Sequence, residues 1–157
     1  MSDQDDIWVQ GRVGRMLIAL NNPDCLVVSG NQVIFPEDVV FSRRFKQLLS
    51  KDSKSDFCNF IKVFLGNASY FGCTMAINRK ILKHVLPFPN YLESHDLWII
   101  MIAILLSKNT HIEDIVLKRR IHGNNVSIVE RDIAKKLYSR LILIISLLEF
   151  VFRRNEN

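Results

Sequence analysis

The sequence is poor in cysteine, glycine and proline, with three, six and four of them in 157 residues. Cys25, Cys58 and Cys73 are too few and too scattered for a disulfide framework, and no CxxC pair indicates structural zinc. No internal repeat or low-complexity tract appears. This cysteine usage predicts a protein of the reducing cytoplasm.

Long hydrophobic runs and an export signal are also missing. The longest apolar stretches, 97–106 and 141–152, fall short of the ~20 residues that span a bilayer. The N-terminus opens with acidic residues, where a secretory signal needs a basic stretch followed by an apolar one. We therefore predict neither a signal nor a transmembrane helix, and expect a cytoplasmic protein, free or peripheral at the inner face of the cell membrane.

The composition suffices for one folded domain. With 48% hydrophobic and 24% charged residues, the chain can bury enough apolar surface to offset its conformational entropy, which excludes intrinsic disorder. The net charge of +5 suits an anionic partner: a nucleotide-sugar diphosphate, an acidic lipid surface or nucleic acid. Nucleic acid is the weakest of these, because the basic residues are dispersed and no basic motif is interleaved with aromatic residues.

Hydrophobic periodicity and turn residues predict a mixed α/β fold. An amphipathic helix is expected over 13–20, followed by a β-hairpin whose strands 26–28 and 32–35 flank a Ser29-Gly30-Asn31 turn. The polar segment 46–56 predicts a mobile loop. Further along we expect, in order, a short strand over 71–77, one or two helical turns over 81–86, a helix buried on several faces over 95–108, a β-rich segment over 112–121 and a long helix over 129–153.

An acidic cluster near the N-terminus, Asp3-Gln4-Asp5-Asp6, could direct two carboxylates at one hard cation. Mg²⁺ and Mn²⁺ prefer such oxygen ligands and leave coordination positions for diphosphate oxygens. The same cluster also fits an exposed acidic terminus or a helix N-cap, which a helix dipole favours.

Two further polar clusters lie later in the chain. His95-Asp96 opens the predicted buried helix, where Asp96 could be an N-cap or an exposed general base. Around Gly123 the sequence offers one fixed cation, one imidazole and two amides to an anion, unless these form an ordinary basic turn. Those residues are Arg120, His122, Asn124 and Asn125.

These clusters belong to five blocks that follow one another in a fixed order. They are SDQDDIW at 2–8, GCTMAINR at 72–79, LPFP at 86–89, HDLW at 95–98 and RIHGNN at 120–125. In this order they resemble glycosyltransferase family 2, specifically its bacterial rhamnosyltransferase-like branch of surface-polysaccharide synthesis. The resemblance covers roughly residues 2–127.

The resemblance implies a partial GT-A (Rossmann-like) glycosyltransferase domain over 1–127. Outside the resemblance, the pattern of segment 128–157 predicts a basic, amphipathic C-terminal helix. The resemblance also implies metal-assisted, inverting transfer of a sugar from a nucleotide-sugar to a growing bacterial glycan or lipid-linked acceptor. Asp3 and Asp5 would hold Mg²⁺ or Mn²⁺, and Asp96 would deprotonate the acceptor hydroxyl. Arg120 and His122 would stabilise the departing diphosphate.

Three departures from the family pattern qualify this expectation. Gly11-Arg12-Val13-Gly14-Arg15 replaces the usual helix-starting sequence after the acidic motif, and glycine there weakens a helix. Ile115, Lys118 and Arg119 stand where such enzymes often have Pro, Leu and Tyr. The nucleotide-binding half that precedes the acidic motif in the family is missing here, so we expect an acceptor-side portion. It would be a gene remnant, the product of a misplaced start, or one chain of a split enzyme. The alternative function is a non-catalytic remnant that binds membrane or a partner.

The C-terminal segment combines basic ends with an apolar middle. Lys135, Lys136 and Arg140 precede the apolar run 141–145, and Arg153-Arg154 follow the run's continuation. This pattern fits an interfacial helix on anionic lipid, or equally a helix packed on the rest of the domain.

Overall fold

The computed structural model describes residues 6–35, 46–67, 69–92, 94–120 and 133–155. Within them the chain is a mixed α/β structure with four strands and five helices. The strands are β1 (Ile7–Trp8), β2 (Val27–Phe35), β3 (Met75–Ile77) and β4 (Asn109–Arg120), and the helices are α1 (Arg12–Leu20), α2 (Asp56–Phe64), α3 (Leu82–Val85), α4 (His95–Leu105) and α5 (Ile133–Asn155). Short 3-10 turns cover Ser50–Asp52, Gly72–Thr74 and Arg79–Ile81.

The four strands form one sheet in the order β1-β4-β2-β3. The central pair, β2 and β4, is parallel, and each edge strand is antiparallel to its neighbour. Between the pairs Val27↔Asn109 and Phe35↔Arg120, β2 advances by 8 residues and β4 by 11. The extra residues of β4 are accommodated as irregularities opposite Ser29–Gln32, which is where β-bulges bend and twist a sheet.

The predicted β-hairpin is wrong, because Ser29-Gly30-Asn31 continues β2 without a turn. Gly30 lies against the side chain of Val116, in a space that suits glycine. Asn31 is buried, and its side-chain amide donates to the carbonyls of Leu48 (3.0 Å) and Glu113 (3.1 Å). These long-range contacts occupy the polar groups that usually make Asn a turn residue.

Helix α4 is the centre of the larger hydrophobic core. Every residue from Trp98 to Ile104 is buried, as predicted from a segment that is apolar on nearly all sides. Trp98 donates its indole N–H to the Val85 carbonyl (3.0 Å) and meets the ring of Phe150 edge-on at 6.3 Å. The Ser94 side chain caps the start of the helix by accepting the Leu97 N–H.

A smaller core lies on the opposite face of the sheet. Val27 belongs to the core around α4, whereas the next residue of β2, Val28, packs with Met16 of α1 and Leu117 of β4. Consecutive side chains of a strand point to opposite faces, so helices cover both faces of the sheet. The chain is therefore layered, with α1 on one side and α2, α4 and α5 on the other.

Most other predicted elements are confirmed. The structure has the helix over 13–20 as α1, the helical turns over 81–86 as Arg79–Ile81 and α3, the β-rich segment as β4, and the long helix as α5. The strand predicted over 71–77 is shorter, because a 3-10 turn occupies its first half. Segment 46–56 contains a 3-10 turn, and Asn31 holds it to the sheet, so it packs against the domain where a free loop was predicted.

The predicted Gly123 turn cannot be compared with the structure, because residues 121–130 lie outside the described residues. Helix α5 packs on the domain, since Leu143 and Phe150 share the core of α4. Among the helices described, none is both long enough and apolar enough to cross a membrane.

We predict that Gly30→Ala lowers the free energy of unfolding by about 1–3 kcal/mol, the usual cost of overpacking. A Cβ at residue 30 would lie 2.7 and 2.9 Å from the γ-carbons of Val116, a buried and stiff β-branched side chain. Gly14→Ala is the matched control: nothing lies within 4 Å of its Cβ, inside α1, so stability should rise by about 0.5–1 kcal/mol. Urea titrations measure both changes, and a Gly30→Ala protein as stable as the wild type would contradict the packing described.

Candidate functional site

The candidate site lies around the 3-10 turn Gly72–Thr74, which leads into β3. The backbone N–H of Gly72 donates to Oδ2 of Asp96 at 3.0 Å. Residues 24 positions apart thus meet, and two of the blocks recognised in the sequence, 72–79 and 95–98, become neighbours. Asp96 is half-buried in the first turn of α4, and the burial of that helix fixes its position.

From the described residues the Asp96 carboxylate accepts three hydrogen bonds. Oδ1 accepts the Leu97 N–H (2.9 Å) and the Ser94 hydroxyl, and Oδ2 accepts the Gly72 N–H. Because a carboxylate offers about four lone-pair positions, Oδ2 retains one for a further donor such as a substrate hydroxyl. The N-cap of α4 is Ser94 and not Asp96, which lies in the first turn of the helix. The role of Asp96 as a general base stays a prediction.

Two buried arginines contact the same turn. Arg12, 4% exposed, donates from Nη2 to the carbonyl of Cys73 at 2.5 Å, and its guanidinium lies over the Trp8 ring at 4.4 Å. Arg119, 9% exposed, lies over the ring of Phe71 at 5.2 Å. Burial lowers the pKa of Arg12, and interactions with Cys73 and Asp6 oppose that effect. Arginine keeps its charge in proteins, so two fixed positive charges lie beside the turn and the residue before it.

The sequence-based site included Arg120 and not its neighbour Arg119. In β4, Leu117 and Arg119 are buried whereas Lys118 and Arg120 are exposed, as expected for alternating faces of a strand. Arg120 lies over the ring of Phe35 at 5.8 Å, at the end of the β2–β4 pair. Lys118, Arg119 and Arg120 are three consecutive basic residues, so the sequence alone does not distinguish the buried arginine from its exposed neighbours.

The remaining predicted site residues, Asp3, Asp5 and His122, lie outside the described residues, so their positions relative to Asp96 stay predictions. Within the described ranges, no group of three or more His, Cys, Asp or Glu side chains is arranged to hold a metal ion. Mg²⁺ or Mn²⁺ at Asp3 and Asp5 is therefore still an expectation from the sequence.

Two concavities are lined by described residues. One, of about 150 Å³, lies between α1 and the sheet and is apolar except for Arg12; its lining is Trp8, Arg12, Val13, Met16, Leu17, Met75 and Ala76. The other, of about 20 Å³, adjoins His111 and Tyr70. Ligand pockets for drug-sized molecules have about 300–1,000 Å³, so neither concavity encloses a nucleotide-sugar.

A buried tyrosine–histidine pair beside the smaller concavity was not foreseen from the sequence. The Tyr70 hydroxyl lies 2.6 Å from Nε2 of His111, and the Asn109 amide lies 2.9 Å from the same nitrogen. Nδ1 of His111 lies 3.1 Å from the Leu49 carbonyl, so Nδ1 is the donor and Nε2 the acceptor of a neutral ring. Tyr70 and His111 are 41 residues apart, and no local pattern connects them.

Burial shifts the titration of this pair. Desolvation raises the pKa of the Tyr70 hydroxyl and lowers the pKa of His111, although the Leu49 carbonyl and Asp52 oppose the shift of the histidine. Both side chains are therefore neutral at pH 7. Their hydrogen bonds join β4 to the segment before β3 and to residues 46–56, which indicates a structural role.

We predict that the free energy of unfolding falls as the pH decreases below about 6.5, the ordinary pKa of histidine. Because the pKa of His111 is lowered by folding, the unfolded chain takes up the proton first, at a cost of at most about 1.4 kcal/mol per pH unit. Denaturant titrations between pH 7.5 and 5.5 measure this slope. It should flatten in His111→Gln and persist in His95→Gln, an exposed control; an unchanged slope in His111→Gln would contradict the assignment.

Comparisons of the chain with protein-family models, with curated proteins and with solved structures find no match. The resemblance to a glycosyltransferase family therefore depends on the five sequence blocks alone.

Proposed function

We propose that the chain is the acceptor-side portion of a GT-A type, family 2-like glycosyltransferase that transfers a sugar from a nucleotide-sugar to a bacterial surface glycan. The observation that carries the proposal is the hydrogen bond from the Gly72 N–H to the Asp96 carboxylate. It joins the block assigned to the acceptor side with the block assigned to the catalytic base. A mixed α/β sheet with helices on both faces is compatible with this class of fold.

In the proposed reaction Asp96 is the general base. Its Oδ2 takes the proton of the acceptor hydroxyl while the hydroxyl oxygen forms a bond to the anomeric carbon of the donor sugar. The bond from that carbon to the diphosphate oxygen breaks on the opposite face, so the configuration inverts. The nucleoside diphosphate leaves with the electron pair.

Positive charge near the turn would stabilise the leaving diphosphate. Arg120 and His122 keep the role that the resemblance assigns to them. Arg12 and Arg119 add fixed charge around the turn that contacts Asp96. A divalent cation held by Asp3 and Asp5 would neutralise part of the diphosphate charge when bound.

The test fuses the nucleotide-binding half of a family 2 enzyme to the N-terminus of the chain, with that half alone as the baseline. Release of nucleoside diphosphate from UDP-, dTDP- and GDP-sugars is followed with Mn²⁺ and a glycan acceptor. Asp96→Asn should lower turnover by about 100-fold or more, because Asn has no basic oxygen. The fold should be retained, because Asn has nearly the size of Asp and its amide oxygen can still accept the Gly72 N–H, while Ser94 remains the N-cap.

Asp56→Asn is the matched control, because Asp56 also lies in the first turn of a helix, α2, and accepts a hydrogen bond from Ser107. Its turnover should stay near that of the wild type. Near-normal turnover in Asp96→Asn, with an intact melting transition, would remove Asp96 from the mechanism. A folded fusion that turns over none of the donors above its baseline would contradict the proposed activity itself.

A further inference from the structure

Helix α5 carries an apolar surface that faces away from the domain, which we name the outer stripe. Each of its eight side chains is between 41% and 68% exposed. They are Leu137, Tyr138, Leu141, Ile144, Ile145, Leu148, Val151 and Phe152. The stripe is about 22 Å long, at 1.5 Å per helical residue, and contains no charged residue.

The spacing of the stripe is that of a coiled-coil seam. Leu137, Leu141, Ile144, Leu148 and Val151 follow one another at intervals of four, three, four and three residues. This is the a/d pattern of a heptad repeat, which lets one helix pack its side chains between those of another. The other three stripe residues recur every seven positions beside the seam.

The opposite face of α5 is already occupied by the domain. Ile142, Leu143 and Phe150 are buried, and Ser146 satisfies its buried hydroxyl by donating to the Ile142 carbonyl at 2.9 Å. These contacts fix the rotation of the helix, so the outer stripe cannot turn inward to join the same core. What covers the stripe must come from outside the described fold.

The polar face of α5 favours protein over lipid. Basic residues lie at both ends of the helix, at Lys135, Lys136, Arg153 and Arg154. The charged residues within the span of the stripe, Arg140 and Glu149, have opposite signs, and both contact the domain: Arg140 lies 5.9 Å from the Phe64 ring, and Glu149 accepts a hydrogen bond from Tyr91. A helix that lies on anionic lipid carries a solvated, basic polar face. Here the face opposite the stripe is packed into the domain core.

The size of the stripe fits an interface between proteins. Eight apolar side chains with these exposed fractions present several hundred Å², at or beyond the upper end of the 300–600 Å² typical of the largest patch on a monomer. A standard interface takes about 800 Å² from each partner. A second copy of the chain offers the same apolar heptad seam, and a two-fold axis brings identical surfaces together.

We propose that the outer stripe is a self-association surface, through which two copies of the chain pair their α5 helices as a two-stranded coiled coil. This inference is independent of the proposed glycosyl transfer, because no residue of the stripe belongs to the candidate site. In the dimer the stripe residues form a second apolar seam beside the domain core, and the two domains lie on the outer sides of the helix pair.

Sedimentation equilibrium of the purified chain at up to about 100 μM tests the proposal. The wild type should sediment with the mass of two chains. The double variant Leu141→Glu/Leu148→Glu places charges in the seam, and its dissociation constant should rise at least about 100-fold, giving one chain. Phe57→Glu is the control, because Phe57 is 78% exposed on α2, outside the stripe, and its variant should remain a dimer.

Circular dichroism melting verifies that the variants fold. If the double variant does not fold, the single variant Ile144→Lys takes its place in the sedimentation experiment. A wild type that sediments as one chain throughout would overturn the proposal. So would a dimer that survives the seam charges, since its interface would then lie elsewhere. A single chain that instead co-sediments with phosphatidylglycerol vesicles through the stripe would identify the occupant as lipid and equally overturn it.

Discussion

The complete burial of helix α4 is the constraint on which the other described elements depend. Seven consecutive residues, from Trp98 to Ile104, are almost inaccessible to solvent, so protein must surround the helix on all sides. Fully burying one aliphatic side chain contributes about 1.5–3 kcal/mol, which makes this helix a major source of stability in the described core. The inner faces of α2, α3 and α5 and one face of the sheet all pack around it.

The same burial gives the candidate site its rigidity. Asp96 is in the first turn of α4, two residues before the buried Trp98, so its backbone cannot move without disturbing the core. The hydrogen bond to Gly72 then ties the start of β3 to the helix. A base on a rigid element can be held in position for catalysis, whereas a base on a free loop must be ordered first.

The elements that the sequence predicted best have a strong local signal. The apolar run of α4 and the amphipathic pattern of α1 determine their structure almost without context. The prediction of a β-hairpin was wrong because Gly30 and Asn31 are turn residues by local preference. Only their distant partners, Val116 and Leu48, make them part of a strand. Arg119 and the Tyr70–His111 pair were missed for the same reason: their environment is created by residues far away in the chain.

Hydrogen exchange of the native protein, resolved along the chain, tests the central position of α4 most directly. If α4 is enclosed on every side, its amides from Trp98 to Ile104 should exchange only through global unfolding. They should be as slow as the paired residues of β2 and β4, and slower than those of α1, whose outer face is exposed. Exchange in α4 as fast as in α1 would mean that the helix opens locally, and would contradict the account of both the fold and the site.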